Sequence, residues 1–325
     1  MNRAKFREKV SGNYIALPTP FHDDFSLDLA SLRRLVRRQI EAGYCTGNGV
    51  LLAGGAAGEF SVLDMDERKQ LAQAVVEEAA GDISVVVGVQ DTSTLRIQEL
   101  AQFAQEIGAD GIQISPPYYE PPTAEDYFEL LQSVSDAADI PMIVYNTWWT
   151  GTGVSLEHEQ IARLLEISNV GAVKWSASDH STYESVLRDF AGKVPIVDNQ
   201  LSEVWSHMLG AVGFTSHLPL AWPRWGLKLW QVLQSQDYVA ATEMLSRFRI
   251  PYYRLFYKAY AYSGSEGHFD KAVLDLVGFP VGPPRPPGRT LPPSLCDEIR
   301  QMLIEADVPN VAGAEKGDGQ QVSVG

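Results

Sequence analysis

Eight times along the chain a short run rich in β-branched residues gives way to a helical pattern, and few folds accommodate that alternation. The runs are YIAL at 14–17, GVLLA at 49–53, ISVVV at 83–87, GIQI at 111–114, PMIVY at 141–145, VGAVK at 170–174, VPIV at 194–197 and VGFT at 212–215. They show little polar alternation, as expected of parallel strands covered on both faces. The first helix, 28–42, places Leu29, Leu32, Val36 and Ile40 at helical spacing. The second opens on Asp64, Asp66 and Glu67, whose charges oppose the positive end of a helix dipole. Further helical patterns cover about 94–107, 124–138, 156–167, 183–190, 202–209 and 225–234. Eight such units within roughly 220 residues favour a closed (β/α)8 TIM barrel of the α/β class over an open doubly wound sheet.

The expected organisation is a catalytic barrel over 1–235 and a C-terminal helical extension over 236–310. Helical patterns in the extension cover about 238–262, 268–277 and 294–305, the last two separated by the connector VGPPRPPGRTLPP. The small, polar residues 311–325 are expected to be a disordered tail.

Charge and composition exclude several partners. The formal net charge is −15, from 41 acidic and 26 basic residues, and such a surface repels nucleic-acid backbones and anionic membranes. A local pocket can still oppose that field, so an anionic small molecule stays open. Two cysteines, Cys45 and Cys296, build no disulfide framework. The polar start MNRAKFREKVSGNY lacks the apolar run of a signal peptide, and no stretch reaches the ~20 apolar residues of a membrane span. A cytoplasmic, soluble protein is expected.

In a barrel of this kind the site lies at the C-terminal ends of the strands. Lys174 ends the sixth strand, where burial disfavours its ammonium form and leaves an amine able to attack a ketone. From position alone it is equally a lysine snorkelling out of a strand end. Tyr145 ends the neighbouring fifth strand and is a candidate proton shuttle, or a core tyrosine. After the second strand, GGAAGE at 54–59 is small enough for a turn whose N–H groups converge on an anion. Its spacing imitates a dinucleotide fingerprint only loosely, because the first position is Ala53 and the next helix starts near Asp64. Trp148 and Trp149, just after Tyr145 and Asn146, either line the pocket or pack the loop. Asp198, ending the seventh strand, either brings a carboxylate to the pocket rim or starts a helix. The six histidines form no HExxH, and no phosphate-binding loop or nucleophile elbow occurs. An imine on Lys174 would supply its own electron sink, so no metal or organic cofactor is expected.

Taken in order, ALPTPF at 16–21, GGAAGE at 54–59, PPYY at 116–119, VYN at 144–146, GAVKWS at 171–176, LGAVGFTS at 209–216 and KAVLDLVGFPVGPPRPP at 271–287 resemble the dihydrodipicolinate synthase / N-acetylneuraminate lyase family of class I aldolases. The resemblance covers about residues 12–306. It implies a barrel with a helical extension, assembled as a homo-oligomer, a dimer or tetramer. It implies Lys174 as the Schiff-base lysine, Tyr145 as the catalytic tyrosine, and Tyr119 as the tyrosine that crosses a dimer interface to complete a hydroxyl relay.

Two departures from the family bear on substrate. The family's glycine-rich motif reads GTTGE, and its threonines hold the pyruvate carboxylate; here Ala56 and Ala57 stand in their places. A hydrogen bond to a charged group contributes about 1.5–3 kcal/mol, so the backbone N–H groups of Ala56, Ala57 and Gly58 must supply what the hydroxyls no longer do. The synthases also carry YNxPxRTG, whose arginine holds a second carboxylate, where this chain has YNTWWTGTG at 145–153. A cation is lost and two indoles are gained, which favours an apolar or aromatic partner.

The expected function is a lyase forming an imine between Lys174 and a 2-oxo acid such as pyruvate or a substituted pyruvate: an aldolase or hydratase-aldolase, not dihydrodipicolinate synthesis proper. Ala56, Ala57, Gly58, Trp148, Trp149 and Thr215 are the expected substrate-binding residues. The alternatives are a family member that binds a small molecule without catalysis, and a sugar-acid dehydratase of the same family. An NAD-dependent enzyme has only the glycine-rich turn in its favour.

Overall fold

The computed structural model describes residues 3–150 and 154–313. Eight parallel strands close into a barrel in sequence order: β1 (Gly12–Ala16), β2 (Gly49–Ala53), β3 (Ser84–Gly88), β4 (Gly111–Ile114), β5 (Met142–Tyr145), β6 (Val170–Trp175), β7 (Ile196–Asp198) and β8 (Gly213–Thr215), with β8 pairing back onto β1. The expected α/β TIM barrel is the observed fold.

Strand parity decides which side chains reach the site. Tyr14, Val50, Leu52, Val86, Ile143, Ala172 and Val197 pack together inside the barrel, and Phe6 and Val10 close the bottom. Their neighbours Leu51, Ala53, Val144 and Val173 face the surrounding helices. Side chains repeat every two residues along a strand. Two steps above Ala172 therefore lies Lys174, and two above Ile143 lies Tyr145. A register shift between Met142 and Ile143 pairs Ile143 with Ala172 and Tyr145 with Lys174. Without that extra residue in β6, Tyr145 would sit opposite Val173, whose side chain leaves the barrel.

Three features depart from the sequence expectation. A helix, Arg3–Lys9, precedes the barrel; Arg3 and Arg7 donate to the carbonyls of Val170 and Ala191, and Phe6 is the plug. The single helix expected over 238–262 is two, Tyr238–Ser246 and Arg249–Ser263. Pro251, which lacks an N–H, falls in the first turn of the second helix, where no intrahelical donor is required. The expected tail starts too early: Val311 is buried and the Ala312 N–H donates to the Leu276 carbonyl at 2.8 Å. From residue 314 that tail lies outside the described residues. No helix among the described residues is long and apolar enough to cross a membrane.

The helix Glu266–Leu276 rests on the 54–59 loop. A Cβ at Gly267 would lie 2.1 Å from the Ala57 carbonyl oxygen, so only glycine permits this approach. Buried charge secures it. Glu59, with φ of 52° and both neighbours close, meets Lys271 at 2.6 Å and His268 at 3.4 Å. Burial works to raise the Glu59 carboxyl, but hydrogen bonds from His268 and Lys271 and the Lys271 charge outweigh it and hold the group below its ordinary range.

Candidate active site

Two adjoining cavities of about 400 and 410 Å³ open at the C-terminal ends of the strands and share Ala56, Gln113, Tyr145, Trp149, Tyr260 and Glu266. Lys174 lines the first. Its side chain is 4% exposed and, among the described residues, makes no hydrogen bond and no ion pair. Instead its Nζ lies 4.1 Å from the centre of the Tyr145 ring and 5.1 Å from that of Tyr14. Burial lowers its pKa to about 8, against an opposing pull from the Glu266 charge. Near neutral pH a useful fraction of this amine is therefore uncharged and nucleophilic.

Tyr145 is fixed at both ends. Asn146 donates to the Ser176 carbonyl at 2.7 Å and Ser176 donates back at 3.2 Å, which ties the end of β5 to that of β6. The phenol oxygen accepts from Asn199 Nδ2 at 3.3 Å. Burial first, then the Glu266 charge, push its pKa well above that of an ordinary tyrosine, so it is a phenol and not a phenolate. A neutral phenol beside an amine can donate a proton to the oxygen of a carbinolamine.

The glycine-rich loop is braced by Thr19, whose hydroxyl donates to the Gly58 carbonyl at 2.5 Å, and by Gln90, which donates to the Gly54 carbonyl at 2.7 Å. Among the described residues no hydrogen bond uses the N–H of Ala56 or Ala57. Gly58 was expected to join them, but its N–H closes a turn onto the Gly55 carbonyl at 3.0 Å, which leaves the N–H groups of Ala56 and Ala57 as the unengaged donors of this loop. Thr215 ends β8 inside the same cavity, and its buried hydroxyl has no hydrogen-bond partner among the described residues.

Trp149 lines both cavities and packs edge-on against Tyr145, with ring centres 5.7 Å apart; Trp148 lines the first and packs edge-on against Trp149. Residues 151–153 of this loop lie outside the described residues. Tyr119 is 92% exposed, with φ of 89°, and lines neither cavity of its own chain; its neighbour Tyr118 lines the second. Asp198 is not at the pocket rim. It is buried outside the barrel, where it accepts from the Tyr183 hydroxyl at 2.5 Å and from the N–H groups of Gln200 and Ser202 at 2.9 Å.

Several polar residues of the cavity escaped the sequence reading. Asn199 and Gln113 line it, as do Glu266 and His217. His217 lies two residues beyond the end of β8, so the strand-end rule applied there would have found it. Glu266 comes from the extension, and nothing local marks it.

The dihydrodipicolinate synthetase family model matches residues 9–218. The 4-hydroxy-tetrahydrodipicolinate synthase of Nitrobacter hamburgensis is 30% identical over 288 residues, spanning 86% of this chain and 94% of that one. An N-acetylneuraminate lyase of Escherichia coli is 34% identical over 224 residues, spanning 67% and 73%. Among solved structures, the dihydrodipicolinate synthase of Acinetobacter baumannii, complexed with pyruvate, aligns with a TM-score of 0.83 at 25% identity, covering 92% of this chain and 99% of that one. A closed barrel with an amine and a phenol paired at adjacent strand ends agrees with these likenesses, and the chain belongs to the dihydrodipicolinate synthetase family, as a lyase of the class I aldolase type.

Proposed function

We propose that the chain joins or separates a 2-oxo acid such as pyruvate and an aldehyde with an apolar or aromatic body, through an imine on Lys174. The observation that carries this is the buried, unpartnered amine of Lys174 lying on the face of Tyr145. The amine attacks the ketone carbon, Tyr145 protonates the carbinolamine oxygen, and water leaves to give the iminium. The Tyr145 phenolate left by that transfer takes a C3 proton to give the enamine, whose carbon adds to the aldehyde to form the C3–C4 bond. Hydrolysis then frees a 4-hydroxy-2-oxo acid and the amine. Cleavage is the same path reversed, and the iminium is its own electron sink.

The N–H groups of Ala56 and Ala57 hold the 2-oxo acid carboxylate in this reading. Trp148 and Trp149 take the aldehyde's apolar body, since large rings favour flat apolar surfaces. Dihydrodipicolinate synthesis proper is disfavoured, because residues 147–150 read Thr-Trp-Trp-Thr and offer no cation for a second carboxylate. Arg285 lines the second cavity, but both of its terminal nitrogens are engaged by Glu67, at 2.6 and 2.7 Å.

Borohydride trapping tests the chemistry. The protein is incubated with pyruvate or aryl-substituted pyruvates, reduced, and weighed intact beside Lys174→Ala. The expected result is a mass gain of one reduced acid, absent from the variant. No adduct with any acid overturns the imine and leaves a non-catalytic binder as the better account.

A further inference from the structure

The imine on Lys174 handles the electrons of the C3–C4 bond, but cleavage also requires the C4 hydroxyl to lose a proton. With alanines at 56 and 57, the glycine-rich loop has no hydroxyl to take it. The same cavity also carries an imidazole. His217 lines the cavity with Lys174, and its Nδ1 lies 3.1 and 3.0 Å from the two carboxylate oxygens of Asp270. Asp270 is 2% exposed. The Phe256 ring, 4.7 Å away, packs against the imidazole. An Nδ1–H donated to Asp270 leaves Nε2 as the free nitrogen, and in the neutral ring it bears the lone pair.

We propose that His217, oriented by Asp270, is the acid–base residue for the C4 oxygen, an assignment that rests on the Lys174 imine proposed above. In cleavage Nε2 takes the hydroxyl proton, the O–H electrons become the new carbonyl bond, and the C3–C4 pair flows into the iminium to give a neutral enamine. In condensation the imidazolium returns that proton to the alkoxide. Asp270 touches no substrate and is a positioning residue.

Charges around the ring fit this role. Asp270 and Glu266 sit four residues apart on the helix Glu266–Leu276, Tyr253 approaches from the helix Arg249–Ser263, and Lys174 faces the ring from β6. Burial alone would lower the pKa of His217, but the Asp270 charge and hydrogen bond outweigh it, with Glu266 adding to them, and raise it above the ordinary histidine value. Glu266 also lines the cavity, yet no hydrogen bond or ion pair among the described residues orients its carboxylate.

The test uses His217→Asn, Asp270→Asn and Glu266→Gln with a panel of 4-hydroxy-2-oxo acids carrying aryl, alkyl or carboxylate groups at C4. Cleavage kcat is followed against pH, and borohydride trapping of pyruvate runs in parallel. Because kcat reports the enzyme–substrate complex, where Lys174 is already an imine, its acid limb belongs to the base that takes the hydroxyl proton. His217→Asn is expected to lower kcat about 10²–10³-fold and to abolish the acid limb, while the pyruvate adduct still forms. Asp270→Asn removes the anion that raises the imidazole, so its acid limb moves to lower pH; Glu266→Gln keeps a limb. Cleavage by His217→Asn within threefold of the parent, or loss of the limb in Glu266→Gln instead, overturns the assignment. So does a parent that traps pyruvate yet cleaves no member of the panel. A parent that traps no acid at all overturns the imine reading, and this one with it.

Discussion

Lys174 and Lys271 are each 4% exposed, yet their surroundings share almost nothing. Lys271 meets the Glu59 carboxylate at 2.6 Å, donates to the Pro283 carbonyl at 2.9 Å and lies over the Phe21 ring at 4.4 Å. Lys174 meets two aromatic faces and, among the described residues, no acceptor. The difference separates two uses of a buried amine. Burial pulls the Lys271 pKa down as well, but the Glu59 charge and hydrogen bond oppose it, and a lysine so partnered holds two segments together. A lysine given neither sheds its proton readily, and the same burial that destabilises its charge makes it a nucleophile.

Replacing each lysine by methionine should split the pair most widely. Lys271→Met leaves the Glu59 carboxylate buried without its cation, and breaking a buried pair in this way costs about 3–5 kcal/mol. The loop 54–59 should loosen with it. Lys174→Met removes a desolvated amine that has no acid to satisfy, so it should leave the fold as stable as before or more stable, by about 1–3 kcal/mol at pH 7, while abolishing the borohydride adduct. Urea midpoints of the two variants decide the matter. Equal losses of stability would show that Lys174 is also a structural cation.

Stability against pH should separate the same two sites at opposite ends of the scale. Lys174 has a folded pKa of about 8, below the ~10.4 of an unfolded lysine, so between these values the unfolded chain binds more protons and stability rises with pH. That rise, worth up to about 3 kcal/mol, should shrink in Lys174→Met to the smaller part that the lowered pKa of Lys271 supplies. Glu59 lies below its ordinary value, so its contribution is complete above ~4.3 and is lost as the pH falls through the folded pKa. Denaturation followed from pH 3 to 10 should show the acid loss in Lys174→Met and the alkaline rise in Lys271→Met, provided each retains the fold.

The two lysines were not equally legible in the sequence. Lys174 could be placed because a strand's period of two and the strand-end rule are local: a run such as VGAVK states which residue ends inside the barrel. The same logic places Tyr145 and Thr215, and eight repeats of it gave the barrel. Lys271 stood in a motif that carried the family resemblance, but its partner Glu59 is 212 positions away, and no pattern within either segment announces the pair. The strand-end rule could have found His217, but its pairing with Asp270 escaped for the same reason, as did Glu266, since contacts between the barrel and its extension depend on how Gly267 lets one backbone approach another. Tyr119 was placed by resemblance alone, and its own chain leaves it in solvent.

The smallest expected effect asks how far the unpaired lysine's environment extends. Trp149 packs against Tyr145, and Tyr145 underlies Lys174, but no ring contact joins the indole to the amine itself. If dryness at Lys174 comes from the barrel layer alone, Trp149→Ala should leave the pH midpoint of imine formation near 8, where burial sets it. The loss should then fall on the partner. An aromatic pair contributes about 0.5–1.5 kcal/mol beyond its buried area, so discrimination between aryl and alkyl aldehydes should drop roughly two- to tenfold. Trapping rates from pH 6 to 10, with partner competition at one pH, measure both quantities on the same variant. A midpoint displaced upward, towards that of an ordinary lysine, would mean that water reaches the amine once the indole is gone. The desolvating wall would then include the 145–150 loop, and the contrast with Lys271 would lie in a cover that the loop can lift, not in the strands beneath it.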